Sequence, residues 1–146
     1  MIEVIKMKIE IFVVNTEIVK LNDKIMQYGI DKTKTAKDIL ILDIERKTII
    51  DSLHAEKLCL TKLFNGLTVI PNCCGYWLND NNGKIENDFV ETWIIYVNDD
   101  LTEKLEYETV LRKDIEQKLK DSLTRIKKAT QQKSQAYSVD NKIYFV

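Results

Sequence analysis

The nine residues FVETWIIYV, numbered 89–97, decide the fold of this chain. Side chains alternate between the two faces of a β-strand, so the even positions from Val90 to Tyr96 share one face and the odd positions from Phe89 to Val97 share the other. Both faces are largely apolar, which is typical of a central strand that is covered on each side. The alternation from Met7 to Val14 predicts a second strand of the same kind.

The next part of the chain is expected to contain two helices with a strand between them. Thr16 is a candidate cap for a helix that ends at Gly29, a residue type common just after the last helical turn. The short apolar run Ile39–Ile44 predicts a strand. The segment Thr48–Asp51 resembles a capping box, and the helix behind it is expected to end at residues 65–66.

Turn signals and helical periodicity predict the remaining elements. These are strands at Leu67–Ile70 and Cys73–Leu78, a turn at Asn79–Gly83, a long helix from a cap at Asp100 to Ala129, and two short strands within Ala136–Val146 that are joined at Asp140 and Asn141.

The order of these elements predicts the fold class. When residues 18–44 are set aside, the order is strand, helix, strand, strand, helix, strand. This is the plan of the ferredoxin-like split βαβ fold, in which the first and third strands form the central pair. We therefore predict a single α+β domain over residues 1–146, with an antiparallel sheet, two helices on one face, and an inserted helix and strand at about residues 18–44.

Composition narrows the class of protein without indicating an activity. The chain has 146 residues with 22 Lys and Arg, 23 Asp and Glu, and 45% apolar residues, which excludes a disordered or low-complexity chain. Its net charge of -1 argues against nucleic acid or a membrane surface as a partner. Three cysteines form an odd, sparse set, which is typical of reduced thiols, and no segment is apolar enough to span a membrane. These features predict a cytoplasmic protein.

Five spaced motifs in the C-terminal two thirds resemble a known family. They are F-x-G-L-T-V at Phe64–Val69, G-x-W at Gly75–Trp77, the turn glycine Gly83, Glu91 at the beginning of a hydrophobic strand, and Q-x-S at Gln132–Ser134. In this order they resemble the bacterial DUF3574 family of unknown function, over about residues 48–146. The resemblance supports the predicted fold more than any function, because the family has no established activity to carry over.

Glu91 is the most notable candidate site residue, because it lies between Val90 and Thr92 where a central strand begins. A buried carboxylate needs a cation or several hydrogen-bond donors to remain charged. One interpretation is a group that anchors a ligand or transfers a proton. The alternative is a structural ion pair with a lysine.

Four further residues are candidates for ligand binding. Gly75 permits a close backbone approach beside Trp77, whose indole presents a flat face to a planar ligand; the alternative is a core or dimer-interface tryptophan. Gln132 and Ser134 are candidate polar anchors before the last strands; the alternative is local hydrogen bonding at the end of the preceding helix. We expect these residues to share one hollow with Glu91.

Metal and cofactor chemistry is not indicated by the sequence. His54 and Cys59 lie on different faces of a helix, and the adjacent Cys73 and Cys74 point to opposite sides of a strand. No phosphate-binding loop, dinucleotide-binding, zinc-protease or serine-hydrolase motif occurs. We therefore predict no metal and no cofactor. The basic residues within 125–133 lie at a helix C-terminus, where cations complement the helix dipole.

Three functional hypotheses are compatible with these observations. The first is a non-enzymatic binding domain for a small polar or anionic ligand, assembled as a homodimer or a higher homo-oligomer. The second is a protein-interaction or inhibitor module that binds a larger partner protein through its sheet edge or through residues 18–44. The third is an enzyme with Glu91 as its general base.

Overall fold

The computed structural model describes residues 7–146; residues 1–6 of the predicted domain lie outside the described part. The elements are β1 (Lys8–Val14), α1 (Thr16–Ile30), α2 (Ala36–Phe64), β2 (Thr68–Leu78), β3 (Ile85–Tyr96), β4 (Thr102–Lys104), β5 (Thr109–Leu111), α3 (Lys113–Ala129), β6 (Ala136–Val139) and β7 (Lys142–Phe145), with a 3-10 turn at Asp99–Leu101. None of the helices described is long and apolar enough to cross a membrane.

The sheet confirms the predicted α+β architecture. Five strands lie in the order β2-β3-β1-β6-β7, and each neighbouring pair is antiparallel. The central pair is β1 and β3, with Ile11 opposite Trp93, as the split βαβ plan requires. The strand β7 extends this plan at one edge, and β4 with β5 forms a separate hairpin.

The apolar core lies on one face of the sheet. Ile11, Trp93 and Ile95 are fully buried there together with side chains of all three helices. On the opposite face, Phe12 and Ile94 are half-buried and do not belong to this core. The expectation that the central strands are covered on both sides is therefore wrong for the described residues. The two apolar faces of β1 and β3 therefore reflect their central position in the sheet. They do not mean that helices cover both faces of the sheet.

The predicted strand at Ile39–Ile44 is also wrong, because these residues belong to the 29-residue helix α2. A short apolar run does not distinguish a strand from a turn of buried helix by its periodicity alone. No glycine or proline interrupts residues 36–64. The buried positions of α2 follow helical spacing throughout; they are Leu42, Ile49, Leu53, Glu56, Leu60 and Phe64. The region 18–44 therefore contributes parts of two helices and the turn at residues 31–35 between them, and it contains no strand.

A capping box begins α2, but at Thr35 rather than at Thr48. The hydroxyl of Thr35 accepts from the backbone N–H of Asp38 at 3.3 Å, and Asp38 Oδ2 accepts from the backbone N–H of Thr35 at 2.8 Å. Thr48 lies inside the helix and its hydroxyl donates to the carbonyl of Ile44 at 2.8 Å. The hydrogen bonds with Thr35 hold the pKa of the Asp38 carboxyl below its ordinary value.

Replacing Thr35 by alanine is expected to destabilise the protein by about 1 kcal/mol, because a helix N-cap is lost. The matched variant Thr48→Ala is expected to change stability by less than about 0.5 kcal/mol. Urea unfolding measures both. Because the pKa of Asp38 is lowered in the folded protein, the stabilisation that its ionised carboxylate provides at the cap is fully present above the ordinary pKa of 3.8. This stabilisation is lost as the pH falls through the pKa of the folded state. Equal destabilisation by the two variants would contradict the assignment of the cap.

The long helix begins later than the sequence predicts. Asp100 lies in the 3-10 turn, and residues 102–111 form the β4–β5 hairpin before α3 begins at Lys113. The buried apolar positions of α3 follow helical spacing; they are Ile115, Leu119, Leu123 and Ile126. Asp100 therefore does not cap the helix, because residues 102–104 and 109–111 pair with each other as strands before the helix begins.

A buried carboxylate joins α2 to α3. Glu56 accepts from the hydroxyl of Ser122 at 2.9 Å and from Nε of Arg125 at 2.9 and 3.0 Å. This hydrogen bond raises the pKa of the Arg125 guanidinium. Arg125, one of the basic residues near the end of α3, is thus held by an ion pair between the two helices.

Candidate functional site

The candidate site is built around Glu91 on the helix-facing side of β3. Its Oε1 accepts from the indole N–H of Trp93 at 2.7 Å and pairs with Nζ of Lys57 at 2.8 Å. Lys57 lies on α2, and its Nζ is 5.5 Å from the centroid of the Trp93 ring, within cation–π range. The side chains of Glu91 and Lys57 are only 16% and 31% exposed. Water therefore screens this charge pair less than it screens a surface pair.

The local sequence explains why these three groups meet. Glu91 and Trp93 are two residues apart on a strand and so share one face. Lys57 follows Leu53 by one helical turn and precedes Leu60 by almost another, so it belongs to the stripe of α2 that packs on the sheet. The ammonium is held beside the carboxylate at the edge of that stripe, where part of it still contacts solvent.

A pocket of about 310 Å³ opens beside the pair, and both Glu91 and Lys57 line it. Its other walls are apolar side chains and two asparagines; they are Asn15, Ile18, Val19, Ile50, Leu53, Asn72, Phe89 and Val90. Within residues 7–146 both hydrogen bonds to Glu91 end on Oε1, so Oε2 is left for another donor. Lys57 also retains N–H donors, because an ammonium carries three. The pocket thus offers one acceptor and one cation between apolar walls.

The rim of the pocket is fixed by bonds between α1 and β3. The backbone N–H of Asn15 donates to the carbonyl of Phe89 at 2.6 Å. The hydroxyl of Thr16 donates to Asp88 Oδ1 at 3.1 Å and accepts from the backbone N–H of Phe89 at 3.2 Å. Opposite, Asn72 has a φ of 59° at the irregularity that interrupts the pairing of β2 with β3. Asparagine tolerates this left-handed conformation better than most residues.

The structure does not bring Gly75 and Trp77 to Glu91. Trp77 pairs with Glu86 across the β2–β3 hairpin, and even positions of β3 lie on the face opposite Glu91. Glu86 is also five residues, or about 16 Å, from Glu91 along the strand. A Cβ at Gly75 would meet Val90 at 3.7 Å, an ordinary contact, so no close approach requires glycine there. The expected grouping of this pair with Glu91 is therefore wrong.

Gln132 and Ser134 do not line the Glu91 pocket either. The side-chain amide of Gln132 donates to the carbonyl of Thr130 at 3.2 Å, and Ser134 is exposed. Gln132 therefore forms a local hydrogen bond at the end of the preceding helix, as its alternative interpretation predicted. Its neighbour Gln135 is almost fully buried, and Nε2 of Gln135 donates to the carbonyl of Phe12 at 2.7 Å. Of the five predicted ligand-binding residues, Glu91 alone lines this pocket.

A second and larger cavity lies at the other end of the sheet. This cleft has a volume of about 540 Å³ and is bounded by α3, β5 and the β6–β7 hairpin. Its charged residues include Glu116 and Lys120, whose ion pair of 3.1 Å joins side chains that are 47% and 44% exposed. The charges at this cleft are thus more strongly screened than those at Glu91.

The ion pair with Lys57 matches the alternative interpretation of Glu91, a pair with a lysine, but sequence reasoning did not identify which lysine and missed Trp93 as a partner. The spacing of Lys57 between Leu53 and Leu60 was a usable signal, because a lysine within an apolar stripe needs a partner or an opening to water. No group of three or more histidine, cysteine, aspartate or glutamate residues within 7–146 is arranged to hold a metal ion. Cys59, Cys73 and Cys74 are free thiols.

Comparisons with known proteins bear on the fold. No family profile matches the chain, so membership of the DUF3574 family stays a prediction, and no curated protein matches it. A solved structure of a phage SAM lyase in complex with S-methyl-5'-thioadenosine is similar, with a TM-score of 0.50, 14% identity, and coverage of 100% of this chain and 92% of that chain. A phage SAM lyase in the apo state has a TM-score of 0.45, 13% identity and coverage of 100% and 94%.

The likeness to the complexed lyase corrects the functional expectation. A non-enzymatic binding domain or an inhibitor module was predicted, whereas the solved structure that is similar over the whole chain is that of a lyase, which is an enzyme. At 14% identity the likeness establishes the fold alone. That neighbour is in complex with a small molecule; for this chain, small-molecule binding and assembly into a homodimer or higher homo-oligomer stay predictions.

Proposed function

We propose that this chain is an enzyme that cleaves S-adenosylmethionine (SAM) to S-methyl-5'-thioadenosine (MTA), and that its substrate binds at the Glu91 pocket. The observation that carries the proposal is the Glu91–Lys57 pair, which is partly shielded from water and lines a pocket. A few polar groups that converge in a largely apolar pocket are typical of small-molecule sites. The fold shared with a SAM lyase supports the choice of substrate.

The chemistry of the pocket complements the amino-acid end of SAM. That end is a zwitterion with one ammonium and one carboxylate group. Glu91 and Lys57 supply the opposite charge for each of them. The free Oε2 of Glu91 accepts from the substrate ammonium, and the remaining N–H groups of Lys57 donate to its carboxylate. A neutral pair that binds a neutral zwitterion leaves no buried charge without a partner. The half-exposed ring of Phe89 at the rim offers an apolar surface for the adenine.

Cleavage of SAM to MTA breaks one carbon–sulfur bond. The bond between the sulfonium sulfur and the γ-carbon of the methionyl chain breaks, and its electron pair stays on sulfur, which becomes a neutral thioether. The positive charge on sulfur disappears as the bond breaks, and it is balanced either by the negative charge of an attacking carboxylate or by the release of a proton. Apolar walls such as Ile18, Ile50 and Leu53 solvate a sulfonium cation poorly, so they favour the less charged transition state over the ground state.

The pocket best supports a route without a protein base. A lyase reaction uses no water, so either the substrate's carboxylate closes onto the γ-carbon to give a lactone, or the β-carbon loses a proton to give an alkene. Among the described residues, Glu91 is the one carboxylate that lines the pocket, and no histidine does. Glu91 already holds Lys57 and Trp93. Ring closure by the substrate's own carboxylate needs no further group, and the role of Glu91 is to bind and orient.

The test is incubation of the purified full chain with SAM, followed by chromatography of the products. We expect MTA to accumulate in step with the loss of SAM, together with a four-carbon lactone or its hydrolysis product. Detection of an alkene product instead of the lactone would show that SAM is cleaved by loss of the β-carbon proton and not by ring closure. The absence of MTA when protein and SAM are equimolar would overturn the proposed activity.

A further inference from the structure

The larger cleft carries an aromatic pair that the proposed function does not use. Tyr137 on β6 and Tyr144 on β7 are opposite each other in the hairpin, and their ring centroids are 5.5 Å apart with an interplanar angle of 29°. Tyr137 is buried, with 6% exposure, whereas Tyr144 is 44% exposed. Both line the cleft. The stack therefore fixes the position of Tyr144, and the exposed part of its ring remains available to a flat ligand.

Tyr137 presents a polar group without a partner in the protein. No residue within 7–146 forms a hydrogen bond with its hydroxyl, although the side chain is more than nine-tenths buried. Gln135 Oε1 is the fully enclosed side-chain polar atom that lacks a partner among the described residues, so the phenol hydroxyl keeps contact with the space of the cleft. Burial raises the pKa of Tyr137, and the group is a neutral phenol that both donates and accepts. The hydroxyl is therefore free to form a hydrogen bond with water or with a ligand in the cleft.

The charges of the cleft favour a cation over an anion. Its described lining contains three carboxylates and two ammonium groups; they are Glu108, Glu116, Asp140, Lys120 and Lys142. The balance is one negative charge. Leu111, Leu119 and Val139 supply apolar surface, and the volume of about 540 Å³ lies within the range of small-molecule sites, roughly 300–1,000 Å³.

We infer that this cleft is a second binding site, for a flat aromatic cation of about nucleoside size that lies against Tyr144 and forms a hydrogen bond with the hydroxyl of Tyr137. The site is separate from the Glu91 pocket. Met7 lines the cleft and Asn15 lines the pocket, and the strand β1 that separates these two residues is about 20 Å long. The inference does not depend on the proposed lyase activity.

The test is calorimetric titration of the full chain with 1-methyladenosine, a nucleoside whose ring is cationic at neutral pH, in parallel with adenosine and adenosine 5'-monophosphate. We expect 1-methyladenosine to bind about fivefold more tightly than adenosine, because of the negative balance and the cation–π contact. The monophosphate is expected to bind more weakly than either nucleoside.

Three variants assign the binding to the cleft. Tyr144→Ala is expected to weaken binding of 1-methyladenosine about tenfold or more through the lost stacking, and Tyr137→Phe about fivefold through the lost hydroxyl. Tyr76→Ala, at a tyrosine that is 74% exposed on β2, is the matched control and is expected to bind as the wild type does. Failure of 1-methyladenosine to bind at millimolar concentration, or binding that Tyr144→Ala and Tyr137→Phe leave unchanged, would overturn the inference.

Discussion

Replacing Glu91 by glutamine is expected to lower kcat/KM for the cleavage of SAM by roughly 100-fold, as is usual when one partner of a shielded charge pair is neutralised. The glutamine retains an amide oxygen that accepts from the Trp93 indole, so the fold is expected to persist. The lost interaction is with the substrate ammonium, which is present in both ground state and transition state. The loss is therefore expected mainly in KM.

Two further variants make this result specific. Lys57→Met, which preserves the length and the apolar stem, is expected to cause a loss of similar size, because the substrate carboxylate loses its partner. Glu116→Gln neutralises a carboxylate in the larger cleft, where the ion pair with Lys120 is half-exposed, and is expected to leave kcat/KM within a factor of about two. Steady-state kinetics on folded protein, checked by circular dichroism, measures all three. An unchanged kcat/KM for Glu91→Gln would remove Glu91 from the site.

Replacing Trp93 by alanine is expected to cost about 3–5 kcal/mol of stability. The Trp93 side chain is fully buried between the sheet and the helices, and its removal leaves a cavity and takes the indole donor from Glu91. Such a loss is a large part of the total stability of a domain of this size, about 5–15 kcal/mol.

The other tryptophan provides the control for that measurement. Trp77 is 46% exposed and lies on the open face of the sheet, so Trp77→Ala is expected to cost less than about 1 kcal/mol. Denaturant unfolding of the two variants gives the comparison. Equal losses would contradict the burial described for Trp93.

The sheet was predictable because its signal is local. Alternation identifies which side chains of Met7–Val14 and of residues 89–97 share a face, and strands with two apolar faces indicated the central pair. The start of α2 was not predictable in the same way. The run Ile39–Ile44 is apolar and short, and only the stripe that continues to Phe64 shows that it is helical. Alternation also does not report whether a second layer covers the other face.

The candidate site was predictable at one residue. Glu91 was found because a carboxylate in an apolar strand is unusual, but its partner Lys57 comes from α2, and only the packing of that helix on the sheet joins them. Trp77 was preferred to Trp93 because its glycine-containing motif is conspicuous. The register of pairing between β2 and β3 cannot be read from the sequence, and it places Trp77 on the face of the sheet opposite Glu91. The stacking of Tyr137 on Tyr144 depends in the same way on the register of a hairpin.

The indole N–H of Trp93 tests the central claim most directly. The chain has two tryptophans, so a ¹H–¹⁵N spectrum contains two indole signals, and the Trp93 signal is assigned by its loss in Trp93→Phe. Its hydrogen bond to Glu91 makes it a reporter of any ligand that engages that carboxylate. On titration with SAM we expect the Trp93 signal to shift in a saturable manner, and then to reach the position found with MTA alone as cleavage proceeds, while the Trp77 signal stays in place. Cleavage of SAM, or saturable binding of it, with an unmoved Trp93 signal would contradict the assignment of the substrate to the Glu91 pocket.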